Sequence, residues 1–244
     1  MLYGVFLSYD SDAAQAVDTL QEYGLALALD GLKISAPKVR TEYKEIRGRD
    51  GALDASDSPQ GYPTYEPRPL TFRLFHDPPF TERDVEELLA LRTEFAARWQ
   101  GRRVRITLPD DDAHYWLGRL SIADFEAGTY TIDCEAVVYP YKLANEETVV
   151  TIDDLTTSWQ TYTLDNARRY VVPVITIGQD TDIQLLQGPL GVPPVLELEL
   201  PSGETSASFR LPDALLVPGE NLLRAKIGAA GTNSLTITYR EGIF

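Results

Sequence analysis

Only two histidines, His76 and His114, and one cysteine, Cys134, stand among the 244 residues. Acid–base, thiol or metal chemistry would therefore have to be built almost wholly from carboxylates. His76 precedes Asp77-Pro78-Pro79 and His114 follows Asp110-Asp111-Asp112. Neither has the spacing of a metal site, and both read as solvated surface residues. The triple aspartate lacks the alternating ligands, the glycine and the distal glutamate of a calcium loop, and reads as a charged turn between two strands. Cys134 alternates with apolar neighbours, which predicts a buried, inert thiol, and a lone cysteine forbids an intrachain disulfide. No phosphate loop, nucleophile elbow, zinc-protease helix or dinucleotide fingerprint occurs. Carboxylates are abundant enough that number alone does not exclude a glycosidase, but no two are placed as its pair. The residues thus predict no catalytic group, no cofactor and no metal. Trp159 and Tyr162 are candidates for a sugar-facing platform, with core or inter-sheet packing as the alternative role.

Strands dominate the elements that would position such residues. Leu25, Leu27 and Leu29 alternate along one face; Leu70, Phe72 and Leu74 repeat the pattern, as do Val104, Ile106 and Leu108. Tyr130, Ile132, Cys134, Ala136 and Val138 oppose Thr131, Asp133 and Glu135. One buried and one polar side per strand is the antiparallel signature. A single helix is expected over about 82–100. Thr81 is its N-cap, Asp84 the capping-box acid, and Gly101 its C-terminal stop. Val85, Leu88, Leu89, Phe95, Ala96 and Trp99 form its apolar stripe.

The stretch 46–69 breaks the pattern with glycines, prolines and aspartates and predicts a long irregular arm. Arg47, Gly48, Arg49, Asp50, Gly51, Tyr62 and Tyr65 are its candidate contact residues. A boundary at Tyr139 to Glu147 predicts two domains, 1–143 and 144–244. The second shows about eight short strands separated by turn signals, including Gly188-Pro189, Pro201-Ser202-Gly203 and Gly231, which predicts a β-sandwich of jelly-roll type. The fold class is mainly β: a barrel- or sandwich-like first domain with one amphipathic helix, then a β-sandwich.

Charge narrows the function classes. Lys plus Arg number 22 against 37 Asp plus Glu, a net charge of −15. Both halves share it, with 16 basic against 24 acidic residues up to Ala144 and 6 against 13 beyond. Such a surface repels polyanions, so specific nucleic-acid binding is not expected, whereas passing DNA without holding it is compatible. The start has no basic segment followed by an apolar run, so no signal peptide is expected, and no apolar run is long enough to span a membrane.

An ordered set of motifs points further. E-x-R-G-R-D-G-A-L-D spans Glu45 to Asp54, R-P-L-T-F-R-L spans Arg68 to Leu74, and G-R-R-V-R-I-T-L-P-D-D spans Gly101 to Asp111. Y-W-L-G-R-L (Tyr115 to Leu120), P-Y-K-L (Pro140 to Leu143), L-V-P-G-E-N (Leu216 to Asn221) and T-I-T-Y-R-E-G (Thr236 to Gly242) complete it. In this order, over nearly the whole chain, the set resembles the distal tail proteins of long-tailed bacteriophages, the siphovirus tail component family. The resemblance implies a structural virion protein made in the host cytoplasm. Its first domain would form a homo-hexameric ring at the tail tip, between the tail tube protein and the tail-associated hub protein, and let DNA pass. Its second domain would be galectin-like and project outward. The arm would reach a neighbouring subunit, and acids would line the lumen. Other readings are a carbohydrate-binding or host-adhesion module of the tail tip, another tail ring or tube protein, and a carboxylate-based glycoside hydrolase.

Overall fold

The computed structural model describes residues 2–48, 50–56, 63–81, 84–124, 130–166, 169–178, 180–185, 195–201, 204–211, 214–228 and 234–244. Two compact units result, one from Met1–Glu42 and Pro63–Asn145, the other from Tyr43–Tyr62 and Glu146–Phe244. The elements, in chain order, are β1 (Phe6–Tyr9), β2 (Asp12–Asp18), α1 (Thr19–Tyr23), β3 (Leu25–Ile34), β4 (Tyr43–Glu45), β5 (Ala52–Asp54), β6 (Arg68–His76), α2 (Val85–Trp99), β7 (Arg103–Thr107), β8 (His114–Ile122), β9 (Thr131–Val138) and β10 (Lys142–Ala144). There follow β11 (Thr148–Ile152), β12 (Gln160–Asn166), β13 (Val174–Ile177), β14 (Thr181–Leu185), β15 (Val195–Leu198), β16 (Ala207–Phe209), β17 (Gly219–Ile227), β18 (Leu235–Tyr239) and β19 (Gly242–Ile243).

The first unit is an antiparallel sheet in the order β2-β1-β7-β8-β9-β6-β3, with β10 beside β8. Period-2 alternation buries one face: Val104 and Ile106, Leu120 and Ile122, Ile132 to Val138, and Leu70 to Leu74. Helix α2 lies in the same core through Leu88, Phe95 and Trp99. Each such side chain contributes about 1.5–3 kcal/mol by leaving water. Tyr23 of α1 meets Phe95 edge-on at 5.4 Å and Tyr9 of β1 lies 5.1 Å from Trp99, which ties the helix to both elements.

The helix starts at Val85; Glu82, placed at its start by the sequence, is outside the described residues. The residue at the N-cap is Asp84, not the expected Thr81, and its side chain caps no helix N–H. The Asp84 carboxylate accepts from the Thr81 N–H at 2.9 Å and from its hydroxyl at 2.7 Å, and these bonds hold that carboxyl below its ordinary value. The apolar stripe needs one correction. Leu89 is exposed, and Leu91 packs on the core in its place, because the buried positions follow 88, 91, 95 and 99. Leu29 is a second correction. Strand β3 takes five steps from Ala28 to Lys33 while β6 takes two from Arg73 to Thr71. This irregularity breaks the period, and Leu29 is 72% exposed.

The second unit contains a sandwich of two four-stranded sheets, β11-β18-β13-β16 and β12-β17-β14-β15. Numbering these eight strands in chain order, one sheet runs first–eighth–third–sixth and the other second–seventh–fourth–fifth. That order is the double Greek key of a jelly roll. The core is aliphatic, with Ile175, Ile177, Ile183, Leu223, Ala225, Leu235 and Ile237 buried between the sheets. Strand β13 is shorter than the apolar run Val171–Ile177 suggests. Pro173 has no N–H to give a ladder, and Val171 forms an isolated bridge to Leu216 instead. The turn signals at Gly188-Pro189, Ser202-Gly203 and Gly231 lie outside the described residues.

The motif Leu216–Asn221 has a structural job. Buried Asn221 accepts from the Val217 N–H at 2.8 Å and donates to the carbonyls of Val217 and Gly219 at 2.8 and 2.9 Å. One side chain therefore locks the turn into β17. A second buried asparagine, Asn166, donates to the Val217 carbonyl at 3.2 Å.

Candidate functional site

The irregular stretch 46–69 resolves into parts that the composition did not separate. Strands β4 and β5 form a two-stranded ribbon with Tyr43 opposite Asp54, Lys44 opposite Leu53 and Glu45 opposite Ala52. The loop 46–51 turns at Gly48 and Gly51, whose φ values of 81° and 78° are left-handed and cost other residues strain. So Ala52–Asp54 is a strand, and Arg68 and Pro69 already belong to β6, both against the expectation of an irregular arm through residue 69. Every described residue from Arg40 to Asp54 is exposed, including Arg47, Gly48, Asp50 and Gly51. Arg49 and Tyr62 lie outside the described residues. Tyr65 is apart from the ribbon: it is half-buried, bridges to Val39 and meets Tyr141 edge-on at 6.0 Å. The ribbon's apolar residues stay wet, with Tyr43 63% and Leu53 44% exposed. A two-stranded ribbon that covers none of its own apolar side chains is marginal alone.

The outward face of the first unit's sheet carries a second exposed group. Arg103, Arg119, Val137 and Pro69 stand in one row across β7, β8, β9 and β6. Val137 and the following Tyr139 are exposed, and a groove of about 300 Å³ runs beside them, lined also by Pro67 and Leu117. Arg103 pairs with Asp10 at 3.1 Å and lies 5.7 Å over the Tyr139 ring. Arginine beside exposed aliphatic and aromatic side chains is the composition of contact surfaces between proteins.

The structure does not bring Trp159 and Tyr162 together. Three residues of extended chain place them on opposite faces. Tyr162 faces inward, opposite Leu223 and against the sandwich core, and its hydroxyl donates to Gln160 Oε1 at 3.0 Å. Burial, then the nearby Asp154 carboxylate, pushes the Tyr162 phenol up. Trp159 is half-buried beneath two cations, with the Arg224 guanidinium 5.4 Å and the Lys226 ammonium 5.1 Å from the indole. Neither cation was legible as a partner of Trp159, since Arg224 lies 65 positions further along the sequence. The signal available was the alternation of Leu223, Ala225 and Ile227 with Arg224 and Lys226.

Both histidines are half-buried and partnered, which corrects the solvated-surface expectation. His76 stacks on Phe80 at 4.3 Å and donates from Nδ1 to the Pro78 carbonyl at 2.9 Å. His114 Nδ1 lies 2.8 Å from Asp111 Oδ1, and Lys142 Nζ lies 2.7 Å from Asp111 Oδ2. Burial pushes the Asp111 carboxyl up, but the bonds from Lys142 and His114 overcome it and hold the group below its ordinary value. This trio joins the turn before β8 to β10. Cys134 is fully buried in β9, and burial raises its thiol far beyond reach of neutral pH. Among the described residues no three His, Cys, Asp or Glu side chains cluster as metal ligands. No described helix is long and apolar enough to cross a membrane.

An antiparallel helix-bearing sheet followed by a jelly-roll sandwich defines a class of two-unit β proteins. The chain is similar in structure to one member, the SPP1 Dit (gp 19.1) protein, described as a paradigm of the hub adsorption apparatus in phages that infect Gram-positive hosts. The match has a TM-score of 0.57 at 17% identity and covers 97% of this chain and 98% of that one. The infectious bursal disease virus VP2 subviral particle is matched with a TM-score of 0.22 at 13% identity, over 98% of this chain and 72% of that one, and carries no argument. No family model matches the sequence, and no curated protein was matched to it.

Proposed function

We propose that this chain is a structural protein of a bacteriophage tail tip, of the distal tail type. The observation that carries the reading is the end-to-end fold likeness to the SPP1 Dit protein, over 97% of this chain. The ordered motifs lend support: Gly48 and Gly51 of the first motif turn the exposed ribbon, R-P-L-T-F-R-L is a core strand, and V-P-G-E-N is the Asn221-locked turn. In this reading residues 1–143 form a hexameric ring, and residues 144–244 form an outward, galectin-like sandwich. The ring joins the tail tube protein to the hub protein at the tail tip and lets DNA through. It has no catalytic role.

Two surfaces suit a closed ring, which needs two different patches on each subunit. One is the ribbon with Tyr43, Ile46 and Leu53; the other is the sheet face with Val137 and Tyr139. The ribbon reaches a neighbour and forms a belt between subunits, with Arg47, Gly48, Asp50 and Gly51 at its tip. The net charge of −15 suits a lumen lined mostly by Asp and Glu, past which a polyanion slides. Light scattering of the purified chain tests the reading. A mass six times the chain's 27.2 kDa supports it, and a monomer at all concentrations counts against it.

A further inference from the structure

We infer that the outward face of the β12-β17-β14-β15 sheet binds an anionic glycan, a saccharide carrying carboxylate or phosphate groups, at Trp159, Arg224 and Lys226. The inference concerns the sandwich alone and does not depend on ring assembly.

Strand register builds the site. On β17, Leu223, Ala225 and Ile227 are buried, so Arg224 and Lys226 point outward, two residues apart on one face. Thr161 of β12 and Gln184 of β14 stand directly opposite Arg224, one on each side. Trp159, one residue before β12, lies under both cations. An indole, two cations, a hydroxyl and an amide thus converge from three adjacent strands.

The two cations differ in what holds them. Lys226 Nζ pairs with Asp182 Oδ2 at 2.8 Å, so half of the local charge is neutralised within the sheet. Arg224 pairs with no carboxylate among the described residues; its contact is the indole. In a chain of net charge −15, an arginine laid on an aromatic ring without an acid beside it leaves a planar fork of donors for an outside anion. Its orientation is fixed in advance by the ring, so little is lost in ordering it. The aromatic rim supplies what a bare anion site lacks, an apolar surface for the C–H face of a sugar, while Thr161 supplies a partner for a hydroxyl. A neutral sugar would leave the Arg224 fork unmatched, and a bare anion would leave the indole unused.

The test uses the full chain and its own fluorescence. Of the three tryptophans, Trp99 and Trp116 are buried, so a change in emission on adding ligand reports on Trp159. The probes are a hexameric galacturonate, a glycerol phosphate oligomer of similar length, and maltohexaose as the uncharged control. The inference expects saturable change with either anionic probe, and the two separate carboxylate from phosphate preference. It expects no saturable change with maltohexaose. Arg224→Gln should weaken binding about tenfold or more, Lys226→Gln less, and added salt should weaken both. Trp159→Phe should abolish the optical signal, and calorimetry should show weakened binding. Melting curves matching the parent's verify that each variant is folded. Failure of both anionic probes, or equal binding of maltohexaose, overturns the inference. So does an Arg224→Gln variant that binds glycan normally but changes the chain's solution mass, which would mark the cluster as a protein contact.

Discussion

The two units solve the same problem, burying an antiparallel sheet, with different materials. The first unit's core is built on large aromatics, Trp99, Trp116, Phe72 and Phe95, and recruits a helix to cover the sheet. The sandwich core is almost wholly aliphatic, because two sheets face each other and each supplies the other's cover. Their surfaces differ too. The first unit leaves Leu2, Tyr3, Phe6, Leu29, Val137 and Tyr139 exposed. Within the sandwich strands, Val149 is the exposed large hydrophobic residue among those described. Of the second unit, the ribbon at Tyr43 to Asp54 exposes apolar side chains most freely. A sandwich whose two sheets cover each other leaves few large apolar side chains in water, whereas the first unit's sheet and the ribbon leave more.

The largest effect is expected at the ribbon. Tyr43→Asp with Leu53→Asp is expected to abolish assembly, leaving monomers in light scattering with the far-ultraviolet spectrum of the parent. Persistent oligomers would remove the ribbon from the contact.

The cores come next. Trp99→Ala should cost the first unit about 3–5 kcal/mol, and Leu223→Ala should cost the sandwich about 2–5 kcal/mol. Hydrogen exchange separates them: the first variant should lose protection in β6 to β9 and the second in β12, β14 and β17. Equal losses in both units for either variant would contradict two separate cores.

Asp111→Asn is a smaller effect with a pH signature. Because the folded carboxyl sits below its ordinary value of about 3.9, its stabilisation is present above that value and is lost as pH falls through the folded value. The variant should be less stable by about 1 kcal/mol at neutral pH, and the gap should close only below about pH 4 in denaturant titrations. A gap that persists unchanged below pH 4 would contradict this account of Asp111. The smallest expected change is Leu89→Lys, within about 0.5 kcal/mol in the same assay, since this helix position faces water.

Much of this was legible in residue order because period 2 and the turn residues are local signals. The eight sandwich strands, the buried faces of β6, β7 and β9, the buried Cys134 and the single long helix follow from alternation and capping. Legibility ended where non-local pairing decides the outcome. Leu29 fits the alternation until the β3 irregularity turns it outward. Leu89 and Leu91 are equally apolar, and only the sheet's position selects Leu91. The glycine-rich stretch hid a hairpin, since its two strands are three residues each. At the candidate sites, the exposure of Arg47, Gly48, Asp50 and Gly51 was legible from glycine and charge. Tyr65 and Tyr162 were not legible, because their partners Tyr141 and Leu223 lie 76 and 61 positions away. Arg224 and Lys226 join Trp159 only through strand register, for the same reason.

In the proposed role this chain closes into a ring of the distal tail type. Electron microscopy of the purified chain tests it most directly. The account predicts image averages with six-fold rotational symmetry around an open centre, in single or paired rings. Monomeric particles, rings of another order, or long stacks of rings would contradict it.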